Sequence, residues 1–211
     1  MSNGKIHAFI VCVFLALLFA ACSKKVLPTS ATWEGNTYQN QFFNFQMQVP
    51  QGWAIGNTNG FERALAAENP GQKLNQKVDK EKGKIWHPLL LASETPAGTP
   101  AESNPKIVLG VVDISGEPNV QNAKDFESSV AQTIVGRQRT WKQVNDPFLV
   151  RLGSKEFYRV DFKIDDLGRI RHKAYFATIE RRYVLLLTVT ADSETDVNRT
   201  LTLAGLPQAG K

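Results

Sequence analysis

Sulfur and histidine are scarce in this sequence. Its 211 residues include two cysteines, Cys12 and Cys22, and three histidines. Two cysteines are too few for a disulfide framework. His87 and His172 each fall on an expected strand without a second ligand at metal-like spacing, and a zinc site needs more ligands than that. G-x-S-x-G, the Walker loop, G-x-G-x-x-G and H-E-x-x-H are all absent, so the usual enzyme signatures are missing. A strong charge of one sign is missing too: 25 Lys and Arg stand against 20 Asp and Glu, interspersed along the chain, which gives no nucleic-acid footprint. Asp161, Asp165 and Asp166 form a carboxylate cluster, but Arg159, Lys163 and Arg169 interleave with it and the EF-hand spacing is lacking. A salt-bridged hairpin face is expected there. No catalytic residue, metal ligand or cofactor is assigned.

One long apolar run exists, from Ile6 to Ala21 behind Lys5, and polarity returns abruptly at Ser23, Lys24 and Lys25. As a helix it spans about 24 Å, short of the ~30 Å hydrocarbon core, so it reads as a removable secretory signal. Phe19, Ala20, Ala21 and Cys22 resemble the lipobox of bacterial lipoproteins, with Phe where that pattern prefers Leu. The resemblance implies that Cys22 is acylated, becomes the new amino terminus and anchors the chain to membrane lipid. Ser23, where Asp would commonly retain such a protein at the inner membrane, implies the periplasmic face of the outer membrane. An ordinary signal cleaved at an A-x-A-like site is the other reading. The expected organisation is a signal over 1–21, a lipidated terminus and flexible tether over 22–36, one domain over 37–206 and a tail over 207–211.

Within the domain, Phe43, Phe45, Met47 and Val49 alternate with Asn44, Gln46 and Gln48, a strand with one buried face that stops at Pro50 and Gly52. A short helix is expected over 61–68, ending before Pro70, and strands over 85–94 and 106–115 flank a loop rich in Pro and small residues. Asn122 and Asp125 mark a helix start, and Phe126, Val130 and Ile134 make its apolar stripe, predicting a helix over 122–143 with Arg137, Arg139 and Lys142 near its negative end. Residues 155–176 predict a hairpin. A three-residue loop, Asp166 to Gly168, would pair Asp165 with Arg169, Phe162 with His172 and Val160 with Ala174, collecting the apolar residues on one face and pairing Asp161 with Lys173 on the other. Residues 182–191 read as a central strand, and Ser193 with Asp196 caps a closing helix. The class is α+β, an antiparallel sheet with helices packed on it.

The set Tyr38, Asn40, Phe43, Phe45, Pro50, Gly52 and Trp53, with the helix from Asn122, the strand over 157–162, the hairpin and the terminal helix, resembles the PsbP/Mog1-like superfamily. That resemblance implies a fold whose known members act by binding, without a shared catalytic centre. The expected function is therefore a membrane-anchored envelope lipoprotein that is no enzyme and binds or scaffolds an envelope protein. Arg169, Arg171 and Lys173, extended by Arg181 and Arg182, are the candidate docking surface. The alternative is a small-ligand receptor or enzyme with a pocket beside the sheet.

Overall fold

The computed structural model describes residues 26–56, 85–96, 104–137, 140–166 and 168–209. The apolar run, Cys22 and the short helix expected over 61–68 lie outside the described residues.

A small antiparallel sheet comes first, with strands β1 (Thr32–Glu34), β2 (Thr37–Asn40) and β3 (Phe45–Gln48) in that order. The main sheet comprises β4 (Ala54–Gly56), β5 (Ile85–Ser93), β6 (Lys106–Asp113), β7 (Trp141–Gln143), β8 (Phe148–Leu152), β9 (Lys155–Asp166), β10 (Arg169–Glu180), β11 (Tyr183–Ala191) and β12 (Gln208–Ala209). Its strands run β12-β8-β9-β10-β11-β6-β5-β4, with β7 added to β9, and every pairing is antiparallel. Two helices, α1 (Ala123–Arg137) and α2 (Glu194–Leu203), complete the described α+β fold.

Both faces of the main sheet are covered. On one, Phe157, Phe176, Leu185 and Leu187 pack with Tyr38, Phe45 and Met47 of the small sheet and with Val197 and Leu201 of α2. On the other, Phe126 packs with Ala177, Val184 and Leu186, and Ala131 of α1 with Val160 and Phe162. Both helix starts use the caps expected of them. Asn122 Oδ1 accepts from the Asp125 amide at 3.0 Å while Asp125 Oδ2 accepts from the Asn122 amide at 3.2 Å, and Ser193 Oγ accepts from the Asp196 amide at 3.1 Å.

Five expectations change. The alternation over 43–49 is buried as foreseen, yet Phe43 lies in a turn that joins β2 to β3, with Asn44 at φ 46°. Residues 26–36 are not free tether: β1 is paired with β2, and Asn40 Nδ2 donates to the Pro28 carbonyl at 2.9 Å. The long helix stops at Arg137, and Trp141 to Gln143, with Lys142 among them, form a strand on β9 because Trp141 packs on Phe162. The expected tail forms β12, paired with β8.

The fifth is the hairpin register, which slips by one residue. Asp166 pairs with Arg169, Phe162 with Lys173, Val160 with Tyr175 and Asp161 with Ala174. The loop is the two-residue kind, with Gly168 at φ 86°. A hydrophobic pattern fixes register only where one face is wet. Here both faces are dry, so Phe162 and Phe176 lie on opposite sides and both are fully buried.

Candidate functional site

The slip redistributes the cations picked out from the sequence. Arg169 Nη2 meets Asp192 Oδ2 at 2.9 Å, and Arg171 Nε lies 3.8 Å from Asp192 Oδ1 while its Nη2 donates to the Asn104 carbonyl at 3.2 Å. Asp192, just past β11, thus gathers two arginines. Lys173 does not join them on the surface: it is 8% exposed, with Nζ 5.0 Å from the Trp141 ring centre and 5.5 Å from that of Tyr175. Its register partner is Phe162, not Asp161 as expected, which carries it over the aromatic floor beneath α1. Arg181 and Arg182 lie just past the far end of β10, whose Arg169–Glu180 span is about 36 Å by strand rise. The Arg181 guanidinium lies 5.3 Å from the Phe42 ring centre. A continuous basic docking face is therefore not assembled.

Arg159 and Asp161, expected on a solvated face, form a buried node. Arg159 is 1% exposed. Its Nε donates to both Asp161 carboxylate oxygens at 2.9 and 3.0 Å, and its Nη1 donates to Asn198 Oδ1 at 3.0 Å and Gln208 Oε1 at 2.6 Å. Asp161 also accepts from Asn145 Nδ2 at 2.7 Å. The guanidinium lies 5.3 Å from the Phe176 ring centre and 5.9 Å from that of Phe148. One side chain thereby joins β9, α2 and β12. Its Nη2 makes no hydrogen bond but lies 2.8 Å from Asp161 Oδ1 and 3.8 Å from Glu194 Oε1, so the guanidinium faces protein groups and acts as a structural cross-brace.

On the opposite face, Glu127 of α1 is fully buried and neither carboxyl oxygen has a hydrogen-bond partner. Burial pushes its pKa well above the usual carboxylate range, and the charge of Asp161 adds to the rise.

A cleft of about 300 Å³ opens where the β2–β3, β8–β9 and α2–β12 turns converge. Asn44, Gly153 and Gly205 all hold left-handed backbone there, at φ 46°, 59° and 68°. Gln39, Asn40, Gln41 and Gln46 supply amides, and among the described residues Lys155 is the one ionisable side chain in the lining. Such a lining donates and accepts hydrogen bonds, but it offers no pair of groups for proton transfer. Sequence reading missed the cleft because its three turns, around Asn44, Gly153 and Gly205, are far apart in the chain; the only local signals were the turn residues themselves.

Among the described residues there is no group of three or more His, Cys, Asp or Glu able to hold a metal, and no helix long and apolar enough to cross a membrane.

No family model matches the chain, and no curated protein matches it. Solved structures do. LpqN, involved in cell envelope biogenesis of Mycobacterium tuberculosis, is 15% identical over 74% of each chain, with a TM-score of 0.36. A Pseudomonas aeruginosa protein of unknown function, PA94, is 17% identical over 57% of this chain and 77% of its own, at 0.33. Cyanobacterial PsbP from Synechocystis sp. PCC 6803 is 12% identical over 87% of this chain and 92% of its own, at 0.43. The α+β class expected from the order of elements is the one the chain adopts, and a PsbP is among its structural neighbours. At these identities and scores no site, ligand or partner passes from them to this chain.

Proposed function

We propose that the chain is a lipoprotein of the bacterial envelope, anchored through acylated Cys22, whose α+β domain is a non-catalytic module that binds or scaffolds an envelope protein. The carrying observation is the run to Ala20-Ala21-Cys22 followed by Ser23-Lys24-Lys25. Ser23 favours the periplasmic face of the outer membrane. The described fold begins close behind the cysteine, with the turn in which the Ser30 amide donates to the Leu27 carbonyl at 3.0 Å. Binding in preference to catalysis is supported by the amide-rich cleft and by the engagement of Arg159 and Asp161 with each other.

Two measurements test this. Intact mass of the membrane-purified protein, with fragmentation of its amino-terminal peptide, is expected to show acyl chains on Cys22; an unmodified terminus refutes the anchor. Affinity purification from detergent-solubilised membranes is expected to return one reproducible stoichiometric partner, and repeated failure to do so refutes the scaffold. The cleft favours one second reading, a receptor for a small polar ligand. Saturable binding of such a ligand that is lost in Lys155→Ala and Gln46→Ala would establish it.

A further inference from the structure

Among the described residues, three exposed large apolar side chains fall within residues 26–33: Val26 at 40%, Leu27 at 51% and Trp33 at 45%. All three follow Cys22 within eleven positions. Chain length limits where they can go. Val26 and Leu27 are four and five peptide units from the cysteine, so neither can lie more than about 18 Å from it even fully extended.

Trp33 is farther along the chain but is drawn back by the fold. Asn40 Nδ2 donates to the Pro28 carbonyl at 2.9 Å and to the Tyr38 hydroxyl at 3.4 Å, and the Tyr38 ring meets the Trp33 ring edge-on at 5.5 Å. Pro28, Asn40, Tyr38 and Trp33 therefore form one connected chain of contacts. Trp33 also faces Tyr38 across the β1–β2 ladder, so one side of its indole is fixed against a fully buried ring and the other side is open. An indole held in place at low entropic cost, half covered and half free, suits the headgroup level of a bilayer, where tryptophan concentrates. Lys24 and Lys25, next to the cysteine, add attraction to anionic headgroups.

We infer that the folded domain itself lies on the bilayer, with Trp33, Leu27 and Val26 inserted at headgroup level, so that acylated Cys22 and this patch together fix the orientation of the domain. The inference rests on the lipoprotein reading above. The occupant is the lipid surface because the length of chain between anchor and fold brings these side chains to it. Orientation has a functional consequence: with the β1 side turned to lipid, the opposite surfaces are the ones presented to an envelope partner.

The test uses the full acylated protein purified from membranes and reconstituted into phosphatidylethanolamine–phosphatidylglycerol vesicles carrying headgroup nitroxide. The sequence has four tryptophans, and Trp33→Phe removes the one in question while keeping a ring against Tyr38. Wild-type emission is expected to lose a share on nitroxide addition, and Trp33→Phe to lose most of that quenching. Leu27→Ser, outside any strand, is expected to lessen it in an otherwise native fold. Acylated, vesicle-bound protein whose quenching is equal in wild type and Trp33→Phe overturns the inference and leaves the anchor standing. A mass spectrum without acyl chains on Cys22 overturns both.

Discussion

The two faces of the main sheet handle buried charge in opposite ways. Beneath α2 and the small sheet, Arg159 and Asp161 enter a core of Phe157, Phe176 and Leu185, and their polar atoms are engaged by each other, Asn145, Asn198 and Gln208. Beneath α1, Glu127 enters a core of Phe126, Ala131 and Phe162 with no hydrogen bond to either oxygen. A charge taken from water is tolerable when its partners come with it, and otherwise it is neutralised. The first face keeps its ions and uses them to hold α2 and β12 in place. The second holds a carboxyl whose pKa burial raises well above the usual carboxylate range, so its packing depends on pH.

Breaking the first face should have the largest effect. Arg159→Met leaves Asp161 buried without its cation and is expected to cost about 3–5 kcal/mol, read from urea denaturation. The double variant Arg159→Met with Asp161→Leu should recover much of that loss, since removing both members of a buried pair is often near neutral. If the double variant is as unstable as the single one, the node contributes through Asn198 and Gln208 and not through charge.

Next in size is a steric test on the α1 side of the sheet. A Cβ built on Gly110 would collide with Cη2 and Cζ2 of Trp86, which lies across the glycine from the paired strand β5. Gly110→Ala is expected to destabilise by about 3 kcal/mol through overpacking. Combining it with Trp86→Leu should cost less than the two changes summed. Additive losses would show that the indole is not what excludes the side chain.

Glu127 sharpens the comparison through pH. Its folded pKa is raised by burial, so the folded state holds the proton more tightly than the unfolded chain. The stability this confers is complete below the unfolded value of about 4.3 and is lost as pH rises through the folded value. Glu127→Met, which removes the unpartnered oxygens, is expected to gain about 1–3 kcal/mol over the native chain at neutral pH. The gain should shrink steadily as the denaturation series is taken down towards pH 4. A pH-independent difference would show that the carboxyl is solvated or paired in solution.

The same contrast explains what was legible in the sequence. The α2 face was readable where apolar alternation stood alone: Phe45 and Met47 inward, Gln46 and Gln48 outward, and the Ser193–Asp196 cap where it was expected. The hairpin register is not legible locally, because sorting apolar from charged residues picks a different register from the one the fold adopts. It buries Arg159 and Asp161 with partners supplied from positions 145, 198 and 208, which no local spacing reveals. Lys173 was placed in a surface patch for the same reason, while the rings beneath it belong to two strands, one of which had been read as helix. Short strands such as β1, β7 and β12 carry two or three residues each, too few for a period to show.

The smallest effect separates the buried ion pair from its exposed counterpart. Arg169 and Asp192 meet at 2.9 Å, close to the Arg159–Asp161 distances, but the Arg169 side chain is 45% exposed. Solvent already reaches the Arg169 guanidinium, and salt screens what attraction remains. Arg169→Ala is therefore expected to change stability by less than about 1 kcal/mol, with the difference fading in 0.5 M salt, whereas the Arg159→Met loss should persist there. Equal salt sensitivity in the two variants would mean that water reaches Arg159, and the cross-brace between β9, α2 and β12 would then open in solution.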